Sequence, residues 1–302
     1  MRPVGRVREL VLRQPPPIDF ILQPAGFAIG ETLIPFDSSE SYLKAYLVGL
    51  GNTLRVALAG IVLATVLGTL VGIGRVSSNA LARGLCYVYT ELLRNVPILL
   101  QLLMWYVLLV EWMPDAEAPL QAWDSVFLSK GGLALPWLAW DEGAWTSRLL
   151  WELPALVEGE VRGGLIISPE FLAVTLGLTL YTSAFVAEIV RSGILALHKG
   201  QSEAASALGL SRGQVMRLVL LPQALRVIVP PMTSQYLNIT KNSSLAIAIG
   251  YPDLVASINV TINQTGQAIE NILIIMAAYL SVSLSISLFM NWYNKRIALV
   301  ER

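Results

Sequence analysis

The chain has 302 residues, of which 55% are hydrophobic and only 14% charged, and its formal net charge is zero. Soluble domains carry about 25% charged residues, so this composition indicates a polytopic membrane protein and gives no argument for nucleic acid binding. The single cysteine, Cys86, and the single histidine, His198, exclude an internal disulfide and a Cys/His metal cluster. No G-x-x-x-x-G-K-[ST] motif occurs, so the chain lacks a P-loop for a nucleotide.

The apolar runs predict about five membrane-spanning helices. The first is the uncharged stretch 56–74 between Arg55 and Arg75, which at about 1.5 Å per residue covers the roughly 30 Å hydrocarbon core. Lipid offers an open strand no hydrogen-bond partner, and the runs are continuously apolar, so helices are expected. The fold class is therefore all-α. The other four spans centre on 95–110, 171–187, 227–240 and 271–294.

Lysine and arginine placement predicts the orientation. Segments 75–94, 188–226 and 295–302 carry positive charge and fall on one side, which the positive-inside rule makes cytoplasmic. Segment 113–168 holds eight acidic and three basic residues, so it should face outward. The expected division is an N-terminal segment 1–42, basic and then extracytoplasmic, a transmembrane domain 43–294 and a cytoplasmic tail 295–302. Four arginines conflict with an external start, namely Arg2, Arg6, Arg8 and Arg13.

The outward insertion 113–168 is rich in tryptophan. Because tryptophan favours the membrane interface, we expect an amphipathic layer on the outer leaflet. A docking platform for a soluble extracytoplasmic protein is the alternative. Six of the chain's eight tryptophans lie in or next to this insertion, namely Trp112, Trp123, Trp137, Trp140, Trp145 and Trp151.

A polar loop, 198–224, separates the third and fourth predicted spans. Ser202 is expected to cap a short helix that exposes Glu203, Ala204 and Ala205. Small alanines allow the backbone of another protein to approach closely. Gly209 should end this helix in the left-handed conformation, just before Leu210. These features predict a docking element.

A second helix should follow in the same loop. Ser211 and Gln214 have capping-box spacing, and Val215 and Leu218 continue the helical pattern. Pro222 is expected to end this helix because proline cannot continue the hydrogen-bond ladder. The result would be a helical hairpin between two spans.

A polar cluster follows the tandem Pro230-Pro231 of the fourth span. Polar groups at membrane depth are costly and usually face an interior or a cavity, so the cluster is a candidate translocation pathway. The alternative is a helix end at which the lysine reaches the interface. Gln101 is a weaker pathway candidate, and a hydrogen bond between helices is its simpler role. The cluster consists of Thr240, Lys241, Asn242, Ser243 and Ser244.

Two further pairs are predicted to make contacts. Gly68 and Gly72 form a G-x-x-x-G pair, which suits close helix packing. Glu188 and Arg191 lie at i and i+3 and should pair on one helix face. Such a pair serves either as a gating contact or as a plain surface pair.

The loop resembles the cytoplasmic "EAA" loop of binding-protein-dependent ABC importer permeases, in both order and spacing. The matching residues are Glu203, Ala204, Ala205, Gly209 and Leu221-Pro222. The flanks 188–194 and 236–245 are similar to the amino-acid branch of that family, and general L-amino-acid permeases are most similar. The resemblance covers roughly 43–112 and 169–294.

The resemblance implies a type I importer permease architecture in the bacterial cytoplasmic membrane. The chain would be no enzyme and would bind no cofactor or metal, since ATP and Mg²⁺ bind separate ABC ATPase subunits. A soluble binding protein would deliver an amino acid, and a second permease chain, unlike or identical, would complete the path. The residues expected to couple to the ATPase are Ser202, Glu203, Ala204, Ala205, Gly209, Leu210 and Pro222.

Two other functions are weighed against this one. An ion-coupled secondary amino-acid carrier would also show polar residues and prolines at depth, but no predicted span holds an acidic residue to relay protons. A non-transporting membrane scaffold would use the loop only to recruit a partner. No recognisable spacing unites a nucleophile, a base and an orienting group, so an enzyme is not indicated.

Overall fold

A computed structural model describes residues 18–123, 125–141, 148–157 and 159–297. The four N-terminal arginines and most of the predicted tail, from residue 298 onward, lie outside the described residues. The chain separates into a larger unit, Val56–Tyr251 with Ile286–Arg302, and a smaller unit, Met1–Arg55 with Pro252–Ser285.

The described part is mostly helical, as the sequence predicts. Four segments are long and apolar enough to span a membrane, and a bent pair of helices makes up to five. The eight longer α-helices of the described residues are α1 (Tyr42–Arg75), α2 (Ala80–Asn95), α3 (Ile98–Trp112), α4 (Pro169–Leu195), α5 (Lys199–Ala207), α6 (Leu221–Asn242), α7 (Leu254–Thr265) and α8 (Ala268–Ile297).

The second span differs from its prediction. Residues 75–94 were expected only as a basic cytoplasmic segment, and most of them form α2, which begins at the side-chain cap of Asn79 on the amides of Leu81 and Ala82. The axes of α2 and α3 differ by 107°. The bend falls at Val96-Pro97, because proline pushes the preceding residue out of the helical region, and Val96 has φ −100° and ψ 130°.

The insertion 113–168 forms strands, which the sequence analysis did not predict. One antiparallel sheet has the order β1-β2-β3-β8, and β4-β5 and β6-β7 form separate hairpins. Gly132 has φ +119°, and a Cβ there would lie 2.2 Å from the Ile167 carbonyl oxygen, so only glycine fits. The strands are β1 (Leu120–Ala122), β2 (Val126–Ser129), β3 (Gly132–Leu135), β4 (Trp137–Asp141), β5 (Arg148–Glu152), β6 (Ala155–Val157), β7 (Glu160–Arg162) and β8 (Leu165–Ile167).

The larger unit packs α1 directly on α4. A Cβ on Gly68 would lie 2.5 Å from the Val186 Cβ, and one on Gly72 would lie 2.7 Å from the Val190 Cβ. The predicted close packing at the glycine pair is therefore confirmed. The apolar core nearby is built from residues of α1, α3, α4 and the chain after α6, including Val56, Leu102, Phe171, Val174, Leu178 and Tyr251.

The smaller unit has its own core, in which buried polar groups are paired across long sequence separations. The Tyr46 hydroxyl donates to Asn271 Oδ1 at 2.5 Å, and the Thr53 hydroxyl accepts the Leu254 amide at 3.2 Å. Phe20 and Ile258 pack in the apolar part of this core. These contacts tie the start of α1 to α7 and α8.

Candidate coupling loop and translocation segment

In the coupling loop, residues 198–224, backbone hydrogen bonds fix the end of α5. The Gly209 amide donates to the Ser206 carbonyl at 3.0 Å, and the Leu210 amide donates to the Ala205 carbonyl at 3.3 Å. Gly209 has φ +82°. This pair of bonds is a Schellman motif, in which the left-handed glycine satisfies helix-end carbonyls. The predicted left-handed stop at Gly209 is confirmed.

The predicted cap at Ser202 is wrong. Helix α5 begins at Lys199 after the extended residue His198, and no side chain caps it. Ser202 lies in the second turn, where its carbonyl accepts the Ser206 hydroxyl at 2.8 Å. The helix starts earlier because water can satisfy the first-turn amides of an exposed helix.

The predicted capping box is confirmed. The Ser211 amide donates to Gln214 Oε1 at 2.9 Å, and the Gln214 amide donates to Ser211 Oγ at 3.4 Å. These reciprocal bonds start the helical run that continues into α6.

The predicted stop at Pro222 is wrong. The run is helical without a break from Arg212 to Asn242, and Pro222 lies in the first turn of α6. A π turn, Val215–Leu220, comes directly before it. The π turn bonds residues five apart, so it changes the ladder where the proline ring would otherwise crowd the carbonyl of residue 218.

Only part of the Glu203-Ala204-Ala205 motif is accessible. Glu203 and Ala204 are exposed, whereas Ala205 is buried. Leu208, which the sequence analysis did not single out, is 83% exposed. An apolar side chain this open on a short polar helix is the signal that was missed. The exposed face of α5 therefore offers a carboxylate, small side chains and one large apolar side chain.

An ion cluster ties three helices in the larger unit. Glu188 of α4 accepts from Arg191 Nη2 at 2.6 Å and from Arg75 Nη1 at 3.0 Å. Arg75, the last residue of α1, also donates to the Thr90 hydroxyl of α2 at 2.7 Å. The predicted Glu188 and Arg191 pair is confirmed. Arg75 was missed, although its place at the end of the first span was visible in the sequence.

The polar segment, residues 240–244, uses all three of its hydroxyls in hydrogen bonds to helix backbone carbonyls. Thr240 and Ser243 are buried and donate to the Tyr236 and Thr240 carbonyls at 2.9 and 2.7 Å. The Ser244 hydroxyl donates to the Lys241 carbonyl at 2.7 Å. Lys241 is exposed and Asn242 is half-buried, so these two side chains are the ones left to meet a solute.

Gln101 lies apart from the polar segment, at the bend between α2 and α3. It is buried, and its Nε2 donates to the Leu93 carbonyl at 2.8 Å and to the Val96 carbonyl at 2.9 Å. Proline at position 97 removes a donor that a continuous helix would have offered such a carbonyl. The side chain of Gln101 thus replaces backbone hydrogen bonds lost at the bend.

One buried carboxyl was also missed. Asp253 caps α7 by accepting the Ala256 amide at 2.8 Å, and its Oδ2 has no hydrogen-bond partner among the described residues. Burial raises the pKa of this carboxyl to about 7. The Asp-Leu-Val sequence carried a capping signal. Among the described residues, no group of three His, Cys, Asp or Glu side chains stands close enough to hold a metal.

Residues 60–299 match the family of binding-protein-dependent transport system inner membrane components. The general L-amino acid transport system permease protein AapQ of Rhizobium johnstonii is 43% identical, over 94% of this chain and 84% of its own length. The putative amino-acid ABC transporter permease protein YhdX of Escherichia coli is 42% identical, over 94% of this chain and 86% of its own length. The chain belongs to this family of importer permease subunits.

Solved structures agree with that membership. The crystal structure of an amino acid ABC transporter with histidines matches with a TM-score of 0.61 and 25% identity, over 84% of this chain and 95% of the other. An inward-facing methionine ABC transporter, MetNI, matches with a TM-score of 0.58, over 85% of this chain and 98% of the other. Because its sequence identity is only 16%, this match shows the fold alone.

The chain is therefore a multi-pass membrane protein and the permease subunit of an ATP-driven importer. It is not itself an enzyme, because in this family a separate subunit hydrolyses ATP. Importers of this family work with ATPase and binding-protein partners. The ion-coupled carrier considered as an alternative finds no support among these relatives.

Proposed function

We propose that this chain forms part of the path by which an ABC importer moves L-amino acids across the bacterial cytoplasmic membrane. The names of its relatives carry the substrate class. The observation that carries the mechanism is the coupling loop, in which a Schellman motif ends a short helix with an exposed carboxylate and a capping box directly after it starts the run into α6, with an exposed leucine between them and the helix.

In this proposal α5 seats in a groove of an ATPase subunit. Ala204 lets the partner backbone come close, Leu208 enters an apolar pocket and Glu203 meets a donor at the rim. The two caps leave α5 little freedom against the start of α6, and Gln223 Nε2 lies 3.4 Å from Gln201 Oε1. Movement of the ATPase would therefore move α5 and α6 together, as alternating access by rigid-body motion requires.

The polar segment 240–244 is proposed to line the path. Its exposed lysine and half-buried Asn242 can meet a carboxylate and an ammonium group of an amino acid. Upstream, Pro230 and Pro231 lie inside α6 and lack an N–H, so the carbonyls of residues 226 and 227 lose their usual helical donors. Gln101 was the second pathway candidate, and its bonds at the α2–α3 bend support a structural role instead.

The remaining parts of the assembly are proposed from the family. A soluble binding protein would release its amino acid on the outer side, where segment 113–168 is proposed to lie. A second permease chain, related but unlike or a second copy, would close the path. ATP and Mg²⁺ would bind only to the ATPase subunits, and the basic segments 75–94, 188–226 and 295–302 would face the cytoplasm.

The test is ATP hydrolysis in vesicles that contain this chain with its ATPase and permease partners, with and without loaded binding protein. Gly209→Asp forces a residue with a Cβ into the left-handed region, at a cost of about 1–2 kcal/mol, and should abolish stimulation by the binding protein. Gly213→Asp adds the same charge nearby, where a Cβ meets nothing within 4 Å, and should leave stimulation intact.

Normal stimulation in Gly209→Asp would contradict coupling through α5. If no ATPase associates with the unaltered chain and uptake follows an ion gradient instead of ATP hydrolysis, the proposal of an importer is contradicted.

A further inference from the structure

A groove of about 370 Å³ opens on the side of the larger unit. Three helices form its walls: α1 contributes Thr65 and Thr69, α6 contributes Met232 and Tyr236, and the end of α8 contributes Phe289 and Tyr293. The volume falls in the range of about 300–1,000 Å³ that small-molecule sites occupy. The groove is distinct from the coupling loop and from residues 240–244.

The lining is apolar in effect, although it contains hydroxyl groups. Thr65 and Thr69 each donate to the carbonyl four residues earlier at 2.6 Å, and the Thr65 and Tyr236 hydroxyls are 3.1 Å apart. Their hydrogen bonds are thus made within the walls. None of the described residues that line the groove is charged. An amino-acid zwitterion placed here would leave its charges unpaired, which is strongly unfavourable.

The helices around the groove are apolar. All three walls belong to helices that are long and apolar enough to span a membrane. An apolar groove between helices of this kind suits a lipid acyl chain, which needs no hydrogen-bond partner. The chemistry of the lining therefore matches an acyl chain.

One end of the groove carries positive charge. Lys295 and Arg296 lie two and three residues after the lining residue Tyr293, in the last turn of α8. The Arg296 guanidinium lies over the Trp292 ring at 4.6 Å, which keeps it at this end of the helix. Clustered cations beside a membrane span attract anionic headgroups.

We propose that this groove binds one acyl chain of an anionic phospholipid, with the phosphate beside Lys295 and Arg296. The proposal does not depend on which solute the importer carries. It names a lipid as an integral ligand of the permease fold.

The test uses the full chain in nanodiscs that contain a trace of phosphatidylglycerol with a diazirine on its acyl chain. After illumination, the label should be found on the peptides that carry Met232 and Phe289. Excess unlabelled phosphatidylglycerol should remove the label, and the same excess of phosphatidylcholine should not. Thr69→Trp fills the groove and should lose the label. Leu70→Trp, at an exposed neighbour outside the lining, should keep it.

Equal competition by the two lipids would overturn the proposal, because it would mean contact with bulk lipid only. The same conclusion would follow if a chain carrying both Lys295→Gln and Arg296→Gln kept the preference for phosphatidylglycerol. A photoreactive amino acid at position 289 gives a separate measurement. Cross-links to lipid support the groove as a lipid site, whereas cross-links to a second permease chain would show that a protein covers it.

Discussion

Arg75 Nη1 lies 3.0 Å from Glu188 Oε2, so the end of α1 is joined to α4 by an ion pair whose arginine side chain is only 10% exposed. Arg191 shares the same carboxylate. Two cations therefore depend on one anion at the ends of the spans.

Replacing that anion should destabilise the chain. In Glu188→Gln, Arg75 and Arg191 lose their counter-charge, and charged hydrogen bonds of this kind are worth about 1.5–3 kcal/mol. We expect a lower apparent Tm in detergent. Glu160→Gln removes the partner of Arg162 in a pair that is more than half exposed on both sides, and should change the Tm little. Equal shifts in the two variants would mean that the cluster is no more than a surface pair.

Replacement of two helical glycines by alanine should change the stability of the chain in opposite directions. Gly72→Ala places a Cβ 2.7 Å from the Ala187 carbonyl oxygen and from the Val190 Cβ, and overpacking of this kind costs about 1–3 kcal/mol. Gly84→Ala meets nothing within 4 Å in α2 and should stabilise the helix by about 0.5–1 kcal/mol. Thermal unfolding of the two variants in the same detergent measures both changes in stability. A stabilised Gly72→Ala variant would contradict the observed close approach of α1 to α4.

Local rules explain which features the sequence predicts. The left-handed Gly209, the Ser211–Gln214 box and the close glycines each depend on residues within a few positions or on backbone geometry that only glycine permits. The failures at Ser202 and Pro222 have a different cause. The start of an exposed helix depends on which amides water can reach. Pro222 is accommodated by a π turn, and no residue type in the sequence predicts such a turn.

Long-range partners account for the rest of what the sequence missed. Arg75 finds Glu188 across 113 positions, and nothing in the spacing joins them. The strands of 113–168 were missed because tryptophan content pointed to the interface and each strand has only three to five residues. The role of this insertion stays a prediction.

Substitutions at Gln101 and Asn242 should distinguish a residue that stabilises the fold from a residue that lines the translocation path. Gln101→Leu leaves the Leu93 and Val96 carbonyls without their donor, which should lower the apparent Tm while uptake per folded complex stays normal. Asn242→Leu should do the reverse, because its half-buried side chain is proposed to meet the solute. Uptake of labelled amino acids, normalised to folded protein, measures the difference. Normal uptake in Asn242→Leu would favour a simple helix end at this position.

Asp253 should make the stability of the chain depend on pH. Its folded pKa of about 7 lies above the ordinary value of 3.8, so the folded chain binds more protons than the unfolded chain between these values. The free energy of unfolding should therefore be highest below about pH 4, fall as the pH rises to about 7, and then stay level as far as this group is concerned.

Asp253→Asn keeps a neutral side chain of the same shape and should remove that fall. The expected result is a larger gain in apparent Tm at pH 8 than at pH 5. Asp37→Asn is the matched control, because hydrogen bonds from Ser39 lower the pKa of that exposed carboxyl, and loss of a favoured anion should act in the opposite direction. An Asp253→Asn variant whose Tm difference from the unaltered chain is the same at both pH values would show that Asp253 is ionised throughout and that its buried oxygen is satisfied in another way.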